Sequence, residues 1–121
     1  MKRIVIISLI LLGLSSCTKD KELLDEIYNE PGYAIGTVSS SVSVVPNYRY
    51  NYEYTISNTV YKGNKTIRGI GINDDKVGRR FLVVYKLSDP AKSDINFKYL
   101  ITSEQYFLDL LEQFKTKPPK R

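Results

Sequence analysis

Four tyrosines at every second position, Tyr48, Tyr50, Tyr52 and Tyr54, form the densest group of functional side chains in this sequence. Tyrosine combines a large apolar face with a hydroxyl that donates and accepts, which suits stacking on sugars and packing at protein interfaces. A second group, Lys76, Arg79 and Arg80, places three cations close enough together to grip an anion. Its weightier alternative is a solvated loop. The third candidate is Cys17, the only cysteine of the chain.

Against these stand several absences. There is no histidine, the side chain used most for acid–base work near neutral pH and the commonest metal ligand. One cysteine forms neither an intrachain disulfide nor a thiolate zinc cluster. Ser39-Ser40-Ser41 lies in no G-x-S-x-G or S-x-x-K context and reads as the polar face of a strand. Glu53, Asp74 and Asp75 sit in no motif that would pair them as glycosidase acid and base. Asn73-Asp74-Asp75 lacks the spacing of a calcium loop, and Gly69-Ile70-Gly71 is too short to cradle a phosphate. The sequence therefore predicts a non-enzyme with no catalytic residue, no metal and no cofactor.

Cys17 gains its meaning from what precedes it. Met1-Lys2-Arg3 is a basic leader, followed by an apolar run from Ile4 to Leu14. At ~1.5 Å per residue that run spans about half a bilayer core, so it reads as a secretory signal and not as a membrane-spanning helix. Leu14-Ser15-Ser16-Cys17 then resembles the lipobox of bacterial lipoproteins at every position. The resemblance implies cleavage before Cys17, a diacylglyceryl thioether on its sulfur, and acylation (palmitate or similar) of the new amino group. Such an anchor is held by ~0.8 kcal/mol per buried methylene. Position 18 is threonine and not aspartate, so the inner-membrane retention residue of such lipoproteins is missing. The expected address is the cell envelope, at the outer membrane, on either face.

Charge excludes one class of partner. The chain has 18 basic and 13 acidic residues, a formal net charge of +5. Four of the cations, Lys115, Lys117, Lys120 and Arg121, sit in the tail, and Lys2 and Arg3 sit in the leader. The rest is close to neutral, so the basic balance is terminal and no nucleic-acid partner is expected.

The elements that must position these residues follow from hydrophobic period. Residues 1–16 are the signal peptide, and 17–32 a lipidated N-terminus and tether with a short helix over about 20–29, ended by Pro31-Gly32. Residues 33–114 form a small β-rich domain with a closing helix, and 115–121 a basic disordered tail in which Pro118-Pro119 prevents regular pairing. Within the domain, 33–45 alternates Ala34, Val38, Val42 and Val44 with a wet serine face. Residues 48–56 place the tyrosines on one face and Arg49, Asn51 and Glu53 on the other. Ser57-Asn58 and Gly63-Asn64 are turns, and 65–72 is a further strand. Phe81 to Tyr85 reads as a central strand buried on both faces. Ser88-Asp89-Pro90 turns into a strand in which Ile95, Phe97, Tyr99 and Ile101 share one parity. Thr102 and Gln105 form a capping-box pattern for a helix whose stripe is Phe107, Leu110, Leu111 and Phe114. The fold class predicted is mainly β (α+β). It is an antiparallel sheet or small open barrel of about five strands, with a C-terminal amphipathic helix packed on the sheet and the tyrosine face as core.

The tyrosine pattern, with Val77-Gly78-Arg79-Arg80-Phe81-Leu82-Val83-Val84-Tyr85 and Asp89-Pro90-Ala91-Lys92-Ser93, resembles small bacterial envelope β-domain proteins. That resemblance implies a β fold and brings no catalytic residues. The expected function is that of a membrane-anchored envelope lipoprotein acting by contact with another envelope protein or component. The alternative is a glycan or peptidoglycan-fragment binding module using the tyrosine face, with Lys76, Arg79 and Arg80 as further contacts.

Overall fold

A computed structural model describes residues 16–68 and 76–121, with side chains from Asp20 onward. The leader to Ser15, the second half (Gly69–Ile72) of the strand expected over 65–72, and the Asn73-Asp74-Asp75 loop lie outside the described residues. Helix α1 (Ser16–Asn29) leads into strands β1 (Pro31–Val44), β2 (Asn47–Ile56), β3 (Thr59–Arg68), β4 (Arg80–Lys86) and β5 (Asp89–Leu100), and helix α2 (Glu104–Phe114) follows. The strands form one antiparallel sheet in the order β3-β2-β1-β4-β5, curled into a half-barrel. The fold is mainly β, as the alternation of apolar residues predicts. Among the described residues no helix is long and apolar enough to cross a membrane.

Ser57 and Asn58 both adopt positive φ, 49° and 67°, in the two-residue turn between Ile56 and Thr59. That geometry follows the natural twist of the flanking strands. The second turn expected at Gly63-Asn64 does not exist, since β3 runs unbroken through it. Gly63 lies opposite Tyr52, and a Cβ there would come 2.5 Å from the ring carbon Cζ. The glycine makes room for a ring instead of reversing the chain. The last turn falls on Leu87-Ser88, because Asp89 already pairs with Lys86 in β5.

The two faces of the sheet bury separate cores. Val38, Tyr50, Tyr52, Tyr54, Phe81, Val83 and Ile95 fill the inside of the curl. Leu82 and Val84 point outward and are covered by Ile27 of α1 and by Leu110 and Phe114 of α2, beside Ile101. Strand β4 is thus buried on both faces, as its unbroken apolar run predicts. The tyrosine face is core, but α2 does not cover it. Curling brings β5 across from β2 and closes the inner face without a helix, so both helices take the outer face.

Two register shifts overturn the parities expected of the flanking strands. A bulge between Val38 and Ser40 turns Val42 and Val44 to the side of Arg49 and Asn47, where they are exposed. A shift between Phe81 and Leu82 in the β4–β5 ladder leaves Phe97 inside with Tyr50 while Tyr99 and Ile101 join the helix side. An inserted residue reverses every side chain beyond it, and period-two reading contains no signal for it.

At the chain ends four expectations change. Ser103, not Thr102, caps α2 by accepting from the Tyr106 amide at 3.1 Å, and Gln105 donates to Asp109 instead of closing a capping box. Of the apolar stripe, Leu110 and Phe114 are buried, whereas Phe107 and Leu111 are half-buried. The segment expected to be a disordered tail lies along β5. Pro119 is buried, the Lys120 amide donates to Tyr99 Oη at 2.9 Å, and the Lys120 carbonyl accepts from Asn96 at 2.6 Å. Arg121 pairs with Asp25 at 2.7 Å over the Tyr28 ring. Proline cannot donate to a ladder, but it packs on apolar surface when side chains satisfy its neighbours' backbone groups. The stretch read as a tether is likewise mostly helix, docked through the fully buried Ile27.

Candidate functional site

Tyr50, Tyr52 and Tyr54 are 1 %, 1 % and 2 % exposed, and Tyr48 is half-buried. Their side chains span the curl. Tyr52 Oη lies 2.8 Å from Ser93 Oγ, and Tyr54 donates to the Pro90 carbonyl at 2.6 Å. Tyr50 meets Phe97 edge-on, with centroids 5.3 Å apart. Residues 90, 93 and 97 all belong to β5, a strand that is not a neighbour of β2 in the sheet. Only a long ring with a polar tip can fill that distance and still satisfy backbone at the far side, which is the physical reason for tyrosine here. Burial pushes the Tyr50, Tyr52 and Tyr54 hydroxyls above their ordinary range. In this arrangement the rings are structural spans, with no open face for a sugar to stack on.

The basic group divides. Lys76 turns inward, its ammonium 5.7 Å from the Tyr50 ring centroid and 5.3 Å from that of Phe97. Desolvation and then the Arg79 charge lower its pKa. Arg79 is exposed while its carbonyl accepts from Val38, and Arg80 is half-buried at the start of β4. Cys17 stands in the first turn of α1, and nothing of its side chain is described.

The structure adds a polar seam that the sequence did not signal. Lys65 of β3 reaches β5, pairing with Asp94 at 2.9 Å and donating to the Ile95 carbonyl at 2.8 Å. Tyr28 of α1 donates to Asp94 at 2.7 Å and accepts from Asn96 at 3.2 Å. Burial, and then the Asp94 charge, raise the Tyr28 hydroxyl far above its usual value. Asp94 and Asn96 are buried, yet both occupy positions that alternation assigned to the wet face. Lys65 and Tyr54 thus give the free edge of β5 the donors that a sixth strand would have supplied. Among the described residues every buried side-chain nitrogen or oxygen has a partner, and no three His, Cys, Asp or Glu gather as a metal site.

Several open concavities of about 300–550 Å³ lie among the described residues. A groove of about 550 Å³ lies over β1 and β2 beside Phe107 of α2, with Tyr33, Ile35, Glu53, Thr55 and Val60 in its walls. A cleft of about 300 Å³ lies over the seam between α1 and β3, with Leu23, Leu24, Asn64 and Thr66 around Asp94. The chain matches no protein-family model, no curated protein and no solved structure.

Proposed function

We propose that this chain is a lipid-anchored protein of the cell envelope, carried at the outer membrane, that acts without catalysis by contact with another envelope protein or component. The observation that carries the reading is Leu14-Ser15-Ser16-Cys17, with the chain's only cysteine at the position that lipidation requires. Its position in the fold supports a stiff attachment. Cys17 falls within α1, whose Ile27 is fully buried against Leu82 and Val84, so a lipid at Cys17 would hold the whole domain without a long free tether. The contact surface we assign is the groove over β1 and β2, which combines half-buried Phe107, exposed Val60 and the single charge of Glu53. The polar groups of the seam are engaged with one another, which suits a structural role better than chemistry.

A glycan-fragment reading keeps one specific observation in its favour. The same groove gathers Tyr33 and Tyr85 with Thr37, Thr55 and Glu53, a mixture of aromatic faces and polar tips suited to sugar. This moves the sugar site from the tyrosine ladder to the groove.

Mass spectrometry of the N-terminal peptide tests the anchor. A diacylglyceryl-modified Cys17 is expected, with Cys17→Ser left unprocessed and lost from the membrane fraction. An unmodified cysteine and normal fractionation of the serine variant would contradict it. Titration with soluble peptidoglycan fragments separates the two contact readings: binding abolished by Glu53→Gln supports the sugar, and no heat change supports a protein partner.

A further inference from the structure

The segment from Pro118 to Arg121 meets the domain as a ligand would. Bonding of the helical kind stops at Lys117, whose amide donates to the Gln113 carbonyl at 3.0 Å. Beyond it the segment's backbone is gripped by side chains of β5. Tyr99 Oη accepts from the Lys120 amide at 2.9 Å, Asn96 Nδ2 donates to the Lys120 carbonyl at 2.6 Å, and Lys98 Nζ donates to the Arg121 carbonyl. Side chains holding the backbone of a stiff, proline-containing segment are a recurring mode of peptide recognition.

The receiving side is set in place by bonds of its own. Asn96 is 3 % exposed; its Oδ1 accepts from the Lys98 amide at 3.1 Å, and its Nδ2 also donates to Tyr28 Oη at 3.2 Å, which fixes the amide plane. The Tyr99 ring stands edge-on to Phe114, with centroids 5.5 Å apart. Two further positions of the segment are read through their side chains. Pro119 is buried, and the Arg121 guanidinium lies 5.2 Å from the Tyr28 ring centroid and 2.7 Å from Asp25. The backbone is thus held whatever the sequence, while one position takes an apolar ring and another a cation. Two consecutive prolines already fix φ, so docking costs the segment little conformational entropy.

We propose that Asp25, Tyr28, Asn96, Lys98 and Tyr99 form a binding site for an extended peptide that carries proline and, two residues on, arginine, filled in cis by this chain's own Pro118–Arg121. The resident segment follows directly on α2, and a ligand tethered so closely has an effective concentration of about millimolar. The site is therefore shut to weaker peptides and opens only to a segment of the same chemistry that outcompetes the resident one. It depends neither on a lipid at Cys17 nor on the groove over β1 and β2.

Fluorescence anisotropy of a fluorescein-labelled synthetic peptide of residues 115–121 tests this on the full chain. Pro119→Gly with Arg121→Ala in the chain weakens the resident segment and leaves the site itself unaltered, so peptide affinity should rise at least ~ten-fold over wild type. Replacing both prolines of the peptide by serine should reverse that gain. Adding Asp25→Arg to the chain should weaken binding about five-fold, and a peptide carrying Arg121→Glu should recover it on that chain. Equal affinity for wild type and the double variant, no binding to either, indifference to the prolines, or a charge swap that recovers nothing would each overturn the proposal. If the double variant loses its β-sheet circular dichroism, recovery of that signal on adding the peptide supports the site, and no recovery overturns it.

Discussion

The two faces of this sheet solve one problem with different materials. The outer face buries Leu82, Val84, Ile27, Ile101, Leu110 and Phe114, aliphatic and aromatic groups with few polar atoms, under helices that bring their own backbone hydrogen bonds. The inner face has no helix over it and must be filled by side chains alone. It uses Tyr50, Tyr52 and Tyr54, whose rings supply the volume and, in Tyr52 and Tyr54, whose hydroxyls reach Ser93 and the Pro90 carbonyl of β5. An incomplete barrel has an edge inside its own core, and only side chains ending in donors can satisfy it. The tyrosines are therefore explained by the missing strand before any ligand is invoked.

The largest effects should come from emptying either core. Tyr50→Ala and Tyr52→Ala should each lose about 3–5 kcal/mol in urea melts, and Leu110→Ala about 2–5 kcal/mol. Arg49→Ala and Glu53→Ala, on the exposed side of the same strand, should stay within about 0.5 kcal/mol. Leu111→Ala should cost less than Leu110→Ala, since Leu111 is half-buried. A harmless Tyr52→Ala would mean that the inner face is open, and would break the comparison at once.

Smaller changes sharpen it. Lys65→Met leaves the buried Asp94 carboxylate with Tyr28 as its remaining partner and should cost about 1–3 kcal/mol. Adding Asp94→Asn should recover part of that loss, because the two residues couple directly. Gly63→Ala forces a Cβ against the Tyr52 ring and should cost a similar ~1–3 kcal/mol by overpacking. Tyr52→Phe keeps the ring and removes the contact with Ser93, so about 0.5–1.5 kcal/mol is expected, measured by the same melts.

The sequence made the sheet legible where one rule governs a whole element. Alternation from Tyr48 to Ile56 located the inner core, and the apolar run from Phe81 to Tyr85 located the strand buried twice. It failed where two rules compete. Val42 and Val44 read as core until a bulge reverses them, and Gly63 reads as a turn until its partner across the ladder is known. Asp94 and Asn96 read as wet because nothing local announces that α1 and the C-terminal segment cover them. Pro118-Pro119 excludes a strand, but a docked extended segment satisfies the same restriction. The tyrosine candidates were easy to find, and their role was not, since a ladder reads the same whether it lines a core or a platform.

Alkaline titration follows the comparison through pH. An unfolded tyrosine ionises near pH 10. Burial raises Tyr28, Tyr33, Tyr50, Tyr52 and Tyr54 above that in the native chain. Above pH ~10 the unfolded chain has lost protons that the native chain keeps, so this stability is complete below that pH and falls as pH rises through the window. Absorbance of tyrosinate at 295 nm, recorded with far-UV circular dichroism on the intact chain, is the most direct test of the tyrosine core. Tyrosinate from the five raised residues should appear only above the ordinary range, as the circular dichroism collapses. A single transition that ionises all ten tyrosines near pH 10 with the β-sheet signal unchanged would contradict the account.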